Sequence, residues 1–277
     1  MSWHTRYLIA KPQAVRLSSR RKRHRNRFQP SRKVRLILVV ITALSLGLIL
    51  LVALKKPPVL PATTVKAISN EIYQWASKKQ QIVATGPLTT LIKQTGERLA
   101  HDLEYANIDW TFFVVRNSET STYALPDGRI SLRNDALLLV NRVDDLAAML
   151  AHQMAHVAHG HINERIAKEF NAELLQTLTT ESDEWPRLLQ ALNMSNEEYN
   201  FSRKQERLAD EFALRLMHKT CFQTHRLAVF WKKIRKTEDS QANFLNTVHP
   251  HNAGSISKME QFIEDNRLQA HINCAQP

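Results

Sequence analysis

Hydrophobic and polar positions divide this chain into one long apolar run and a series of shorter periodic segments. Residues 36–54, LILVVITALSLGLILLVAL, carry no charge and are just long enough to span a bilayer core as a helix. Beyond them, apolar residues recur at helical spacing over 65–83, 88–105, 134–141, 143–160, 163–180, 199–219, 225–236 and 254–268. Strand signals are few: TFFVVR at 111–116, and two arms flanking Pro126-Asp127-Gly128, a turn by composition. The pattern predicts a mainly α fold with a small antiparallel β-sheet or hairpin, preceded by one N-terminal transmembrane helix.

Charge sharpens the division. Residues 1–35 hold twelve Lys and Arg and no acid, and only Lys55 and Lys56 follow the apolar run at once. That asymmetry puts the N-terminus in the cytoplasm and the rest across the membrane. No small-residue cleavage site follows the run, because Lys55, Lys56, Pro57 and Pro58 come next, so an uncleaved signal anchor is expected. The expected organisation is a basic cytoplasmic tail (1–35), a signal anchor (36–54), a Pro-rich linker (55–64) and one folded domain (65–277). The formal charge of +12 comes from residues 1–56, which carry 14 of the 38 bases and none of the 26 acids. The folded part is close to neutral, so no nucleic-acid partner is expected, and six glycines in the whole chain argue against nucleotide-binding loops. A bacterial inner membrane, with the domain in the periplasm, is the expected location. An Arg-rich, acid-free N-terminus also suits import to a mitochondrial inner membrane. The two cysteines, Cys221 and Cys274, allow a disulfide or two buried thiols, and nothing in the sequence sets the oligomeric state.

The chemistry is concentrated in AMLAHQMAHVAHGH, residues 148–161. On a helix, Leu146, Leu150, Met154 and Val157 share one side, while His152, His156 and His159 share the opposite side. This is the pattern of a helix lining a cleft. His152 and His156, four apart, can chelate one zinc ion. With 12 histidines in 277 residues, chance also supplies such pairs, and the ordinary reading of one is satisfied or surface histidines. A second periodic segment adds context: 201–217, with Phe201, Leu208, Phe212 and Leu216 in phase, carries Glu206 and Asp210 four apart. Glu206 can serve as a third ligand, and Asp210 can accept the ring N–H of a liganding His. In the H-E-x-x-H arrangement of zinc peptidases the residue after the first His is a Glu that takes a proton from metal-bound water. Here it is Gln153.

These stretches together resemble the gluzincin metallopeptidases of peptidase family forty-eight. That family includes HtpX-type heat-shock proteases, CAAX-processing endopeptidases, periplasmic chaperone-proteases of outer-membrane assembly and mitochondrial inner-membrane relatives. TYALPDGRISLR (122–133) is similar to the family's substrate-edge hairpin, with Asp127 where Gly is usual. DDLAAMLAHQMAHVAHGHINERI (144–166) is similar to its metal helix, including His161 five residues after the second His. SRKQERLAD (202–210) matches its S-R-x-x-E-x-x-A-D segment, CFQTHRLAVFWKKI (221–234) its next helix, and NTVHPHNAGSISKME (246–260) its T-H-P turn with Val248 inserted. The resemblance spans roughly residues 65–265. It implies a zincin-like α+β fold and zinc (Zn2+) bound by His152, His156 and Glu206, with Asp210 behind a ligand. It also implies His249 near the site, placed to hold an oxyanion or plug the cleft, and an extended polypeptide as substrate or client.

Gln153 sits at the general-base position and cannot accept a proton near neutral pH, a loss worth roughly 10²–10⁴ in rate. Glu164, further along the chain, is not placed to replace it. Three readings follow from the residues. One is a membrane-anchored pseudopeptidase that binds polypeptide in envelope-protein quality control. The second is a weak but real zinc endopeptidase, and the third an interaction domain without metal.

Overall fold

The structure, a computed structural model, describes residues 31–53, 60–79, 82–101, 103, 108–116, 122–134, 136–169, 201–236 and 249–269. The chain divides into two compact units, with the boundary after Lys56. In the first, the apolar run forms helix α1 (Arg32–Ala53), on which residues such as Leu36, Val39 and Ile41 are exposed. Among the described residues, which leave out the side chains of the second half of α1, no helix is long and apolar enough to cross a membrane.

The second unit is helical around a four-stranded sheet. In chain order it contains α2 (Ala62–Lys79), β1 (Ile82–Val83), α3 (Pro87–His101), β2 (Thr111–Val115), β3 (Tyr123–Ala124) and β4 (Arg129–Arg133). A short 3-10 turn (Ala136–Leu139) leads to α4 (Val143–Ala158), α5 (His161–Glu169), α6 (Arg203–Lys219), α7 (His225–Lys236) and α8 (Ala253–Asp265). Several boundaries depart from the sequence pattern. The apolar period over 65–83 ends early, and Ile82–Val83 pairs antiparallel with Val115–Val114 instead. Gly86, at φ 131, and Pro87 at the first position of α3 then mark where the next helix begins. The 134–141 segment makes only a 3-10 turn, and 170–180 lies outside the described residues.

The sheet is mixed rather than antiparallel, in the order β1-β2-β4-β3. The hairpin around Pro126–Gly128 forms as its composition predicts, with Ala124 opposite Ile130. Gly128 closes the turn at φ 103, and a Cβ there would meet Ile108 Cγ2 at 2.4 Å, so both backbone and space require glycine. Asp127 next to it is accommodated by Arg129, whose Nε lies 3.3 Å from Asp127 Oδ2. β4 then inserts between β3 and β2 and runs parallel to β2, which leaves β3 at the edge. That order depends on non-local pairing, which side-chain alternation alone does not encode.

The core centres on α4, whose residues from Asp145 to Val157 are all buried. Its most extensive helix contact among the described residues is with α6. Small residues line both partners: Ala147, Ala148, Ala151 and Ala155 on α4, and Ala209 and Ala213 on α6. They let the two axes approach closely. The buried face of α6 therefore carries Glu206, Ala209, Asp210 and Ala213, while Leu208 and Phe212 are only half-buried. Asp145, in the first turn of α4, pairs with Arg226 of α7 (Nε–Oδ1 2.7 Å) and accepts from Asn141 N at 3.1 Å. These contacts fix where α4 begins, and so where its histidines point.

Close packing extends to α3 and β2. A Cβ at Gly96 would lie 2.4 Å from the buried ring of Phe112. Gly96→Ala should therefore destabilise the domain by about 1–3 kcal/mol through overpacking, against a helix-propensity gain of about 1 kcal/mol. A melting temperature equal to or above the wild type would show that the ring has room to move.

Candidate metal centre

Three elements converge on one buried point. α4 supplies His152, Gln153 and His156, α6 supplies Glu206 and Asp210, and the segment after α7 supplies His249 and His251, all at most 5% exposed. α6 starts where it must because Ser202 caps it, accepting from Gln205 N while Gln205 bonds back. Glu206 follows directly and so sits in the first turn.

Donor atoms of His152, His156, Glu206 and His249 all lie within 4.8 Å of one another. His152 Nε2 is 3.1 Å from His156 Nε2, 3.2 Å from His249 Nδ1 and 3.3 Å from Glu206 Oε2. Glu206 Oε1 lies 3.5 Å from His156 Nε2 and 3.1 Å from His249 Nδ1. Ligands on a tetrahedral ion with bonds of about 2.0–2.1 Å stand roughly 3.3–3.4 Å apart, so the spacings fit a zinc-sized cation. Glu206 Oε2 is buried without a hydrogen-bond partner among the described residues, an expensive arrangement unless a cation faces it. The donor set of imidazoles and one carboxylate suits zinc rather than calcium or magnesium.

Electrostatics point the same way. Burial alone would lower the pKa of His152, but the close carboxylates of Asp210 and Glu206 override it and hold it up at about 9. The field at this point favours a positive charge. Burial opposes the charge on Glu206 too, yet His249, His152 and His156 keep its carboxyl well below the usual range. Desolvation pushes His156 well down and His249 to about 4, the uncharged state that a metal ligand needs. Asp210 Oδ1 faces His152 Nδ1 at 3.1 Å, an ion-pair contact rather than an aligned hydrogen bond. An acceptor there favours the proton on Nδ1 and leaves Nε2 facing inward. His161 Nδ1, 3.1 Å from His156 Nδ1, stands in the same relation to the other histidine.

The structure thus brings His152, His156, Glu206, Asp210, His249 and Gln153 together. It does not place His159 with them: that residue is exposed, stacks on His161 and meets Phe212 edge-on. Nor is the histidine face of α4 open, as a cleft-lining helix would be. Trp231 of α7 lies against His152, with ring centroids 5.1 Å apart, and Phe201 stacks on His156 at 3.8 Å. Gln153 uses its amide Nε2 on His249 Nε2, 3.0 Å away. Glu164, on the separate helix α5, accepts from Gln205 Nε2 at 2.8 Å and is engaged there. Val248 lies outside the described residues. Cys221 is not a free thiol, and Cys274 lies outside the described residues.

His251, Trp231 and the stacking role of Phe201 escaped the sequence reading. Phe201 fitted the helical period of α6 but precedes the cap and walls the site instead. The only available signal for His251 was its spacing, His249-Pro250-His251, in a loop where periodicity says nothing.

Comparison with known proteins adds a common pattern. Residues 88–262 match the description "Peptidase family M48". The chain is 26% identical over 186 residues to the mitochondrial metalloendopeptidase OMA1 of Schizosaccharomyces pombe, covering 66% of this chain and 55% of that protein. It is 27% identical over 218 residues to the mitochondrial metalloendopeptidase OMA1 of Danio rerio, covering 71% and 45%. A Vibrio cholerae protein, provisionally named a beta-barrel assembly-enhancing protease, is 22% identical over 179 residues, covering 60% and 37%. The chain therefore spans about half the length of these relatives or less.

Proposed function

Because the chain belongs to peptidase family M48, whose members depend on zinc, we propose that it is a membrane-anchored zinc metallopeptidase-like protein. It takes extended polypeptide segments in membrane or envelope protein quality control and cleaves them poorly. In this reading His152, His156 and Glu206 hold the metal, and Asp210 orients His152. Zinc, when bound, polarises a scissile carbonyl and acidifies its water. Edge strand β3, packed near α4, offers main-chain groups along which a substrate strand can add.

The observation that carries the impairment is the engagement of Gln153. A carboxylate at this position would take the proton, but an amide cannot, and this amide is already bonded to His249. His249 accordingly sits over the metal position, where it either contributes a fourth donor or, once displaced, lines the side where the oxyanion forms. A cluster of four buried groups close enough to share one cation argues against the alternative of a decayed scaffold that binds no ion. The anchor rests on the uncharged run at 36–54 and the basic excess before it. The OMA1 relatives are named as mitochondrial and the Vibrio protein as a beta-barrel assembly-enhancing protease, so both a bacterial inner membrane and a mitochondrial one fit.

Restoring the carboxylate tests the reading. Wild type should cleave a flexible protein such as casein barely above a chelated control, and Gln153→Glu should raise turnover by about two orders of magnitude. Efficient, chelator-sensitive cleavage by the wild type would contradict the impairment. Topology is tested separately. A reporter fused to the C-terminus should be active only outside the cytoplasm (or matrix), and neutralising the basic run at 20–27 should loosen that orientation. A soluble mature form beginning near Lys55 would identify the apolar run as a cleaved signal.

A further inference from the structure

Behind the metal centre, His251 meets Asp210 on α6, Trp231 on α7 and the main chain of His249. Its Nε2 lies 3.0 Å from Asp210 Oδ2 and 3.2 Å from Oδ1. Its Nδ1 lies 2.9 Å from the main-chain oxygen of His249. Both ring nitrogens face oxygen acceptors, and the ring stacks on Trp231 at 3.9 Å with 14° between planes. Its side chain is fully buried. Asp210, four residues along α6 from Glu206, is the carboxylate that also faces His152 Nδ1 at 3.1 Å. One carboxylate therefore receives a histidine from the metal helix on one side and a histidine from the segment after α7 on the other.

This geometry does two things. It uses the remaining acceptor capacity of Asp210 and so restricts how the carboxylate can turn against His152. It also ties the backbone of His249 to the same group, two residues away along the chain. The His249 side chain is met by Gln153, Glu206 and His152, whereas its main-chain oxygen is met by His251. We infer that His251 is a positioning residue of the metal centre: it holds Asp210 against His152 and, through the His249 carbonyl, keeps His249 at the metal position. The inference rests on the zinc reading above.

The two ring nitrogens can be mimicked one at a time. Glutamine reaches Asp210 with its side-chain N–H, asparagine reaches only the His249 carbonyl, and leucine keeps the packing on Trp231 but neither hydrogen bond. The experiment uses the full chain in detergent, loaded with zinc, with release followed by a chromogenic chelator and folding by thermal melting. Loading with cobalt adds the visible spectrum as a second readout of ligand geometry. His251→Leu should release zinc about ten- to a hundred-fold faster than wild type and alter the cobalt spectrum. His251→Gln should remain within a few-fold of wild type, and His251→Asn, which keeps only the bond to the His249 carbonyl, should release zinc faster than His251→Gln and more slowly than His251→Leu. Should His251→Leu fail to fold, the other pair decides: retention in Gln with faster release in Asn supports the inference. Equal behaviour of Gln and Asn overturns it, as does unchanged release from a folded His251→Leu. A wild type that holds no zinc would overturn the metal reading, and this inference with it.

Discussion

The fold depends on a pair of buried carboxylates meeting a pair of buried histidines. Glu206 and Asp210 are each 4% exposed, on α6, and face His152 and His156 on α4 across the most extensive helix contact among the described residues. Two desolvated negative charges would cost several kcal/mol if left uncompensated, so the structure must supply positive charge at that point. It does so with the field that holds His152 up at about 9, and the donor atoms of four residues are spaced as a small divalent cation requires. Alanines on both helices allow the approach, and the Asp145–Arg226 pair sets where α4 begins. The metal centre and the core are therefore one construction: α4 and α6 cannot separate without stranding the charges between them.

Gln153 acquires its meaning within that construction. In an open site a residue here faces water, but in this chain its amide meets His249, and the aromatic rings of Trp231 and Phe201 close the flanks. The site thus has the features that stabilise a bound ion, with the proton acceptor replaced by a group that holds a neighbouring side chain in place. Binding of metal and turnover of substrate are separable demands, and in the proposed reading this sequence serves the first.

Much of this was legible in the sequence where the information is local. α7 matches its expected span at both ends because a polar turn precedes it and its apolar period is clean. The i,i+4 spacing of His152 with His156, and of Glu206 with Asp210, is enough to put each pair on one helix face. Non-local order was not legible. Ile82–Val83 continued an apolar helical period, and only pairing with Val114–Val115 makes it a strand. The parallel match of β2 to β4 depends on the hairpin adding to β2 through its second strand, which leaves β3 at the edge. His159 shared the phase of the metal histidines, but α4 ends at Ala158 and turns it outward. His251 escaped because loops carry no period, and its role appears only when Asp210 and Trp231 come to meet it.

The central claim is that His152, His156 and Glu206 hold one zinc ion. Zinc content per folded chain, measured by elemental mass spectrometry on the purified protein, tests it most directly. The account predicts about one zinc per wild-type chain and sharply lower occupancy in both Glu206→Gln and His156→Ala, since a site reduced by one ligand is weak. A wild type without zinc, or full occupancy in both variants, would contradict it.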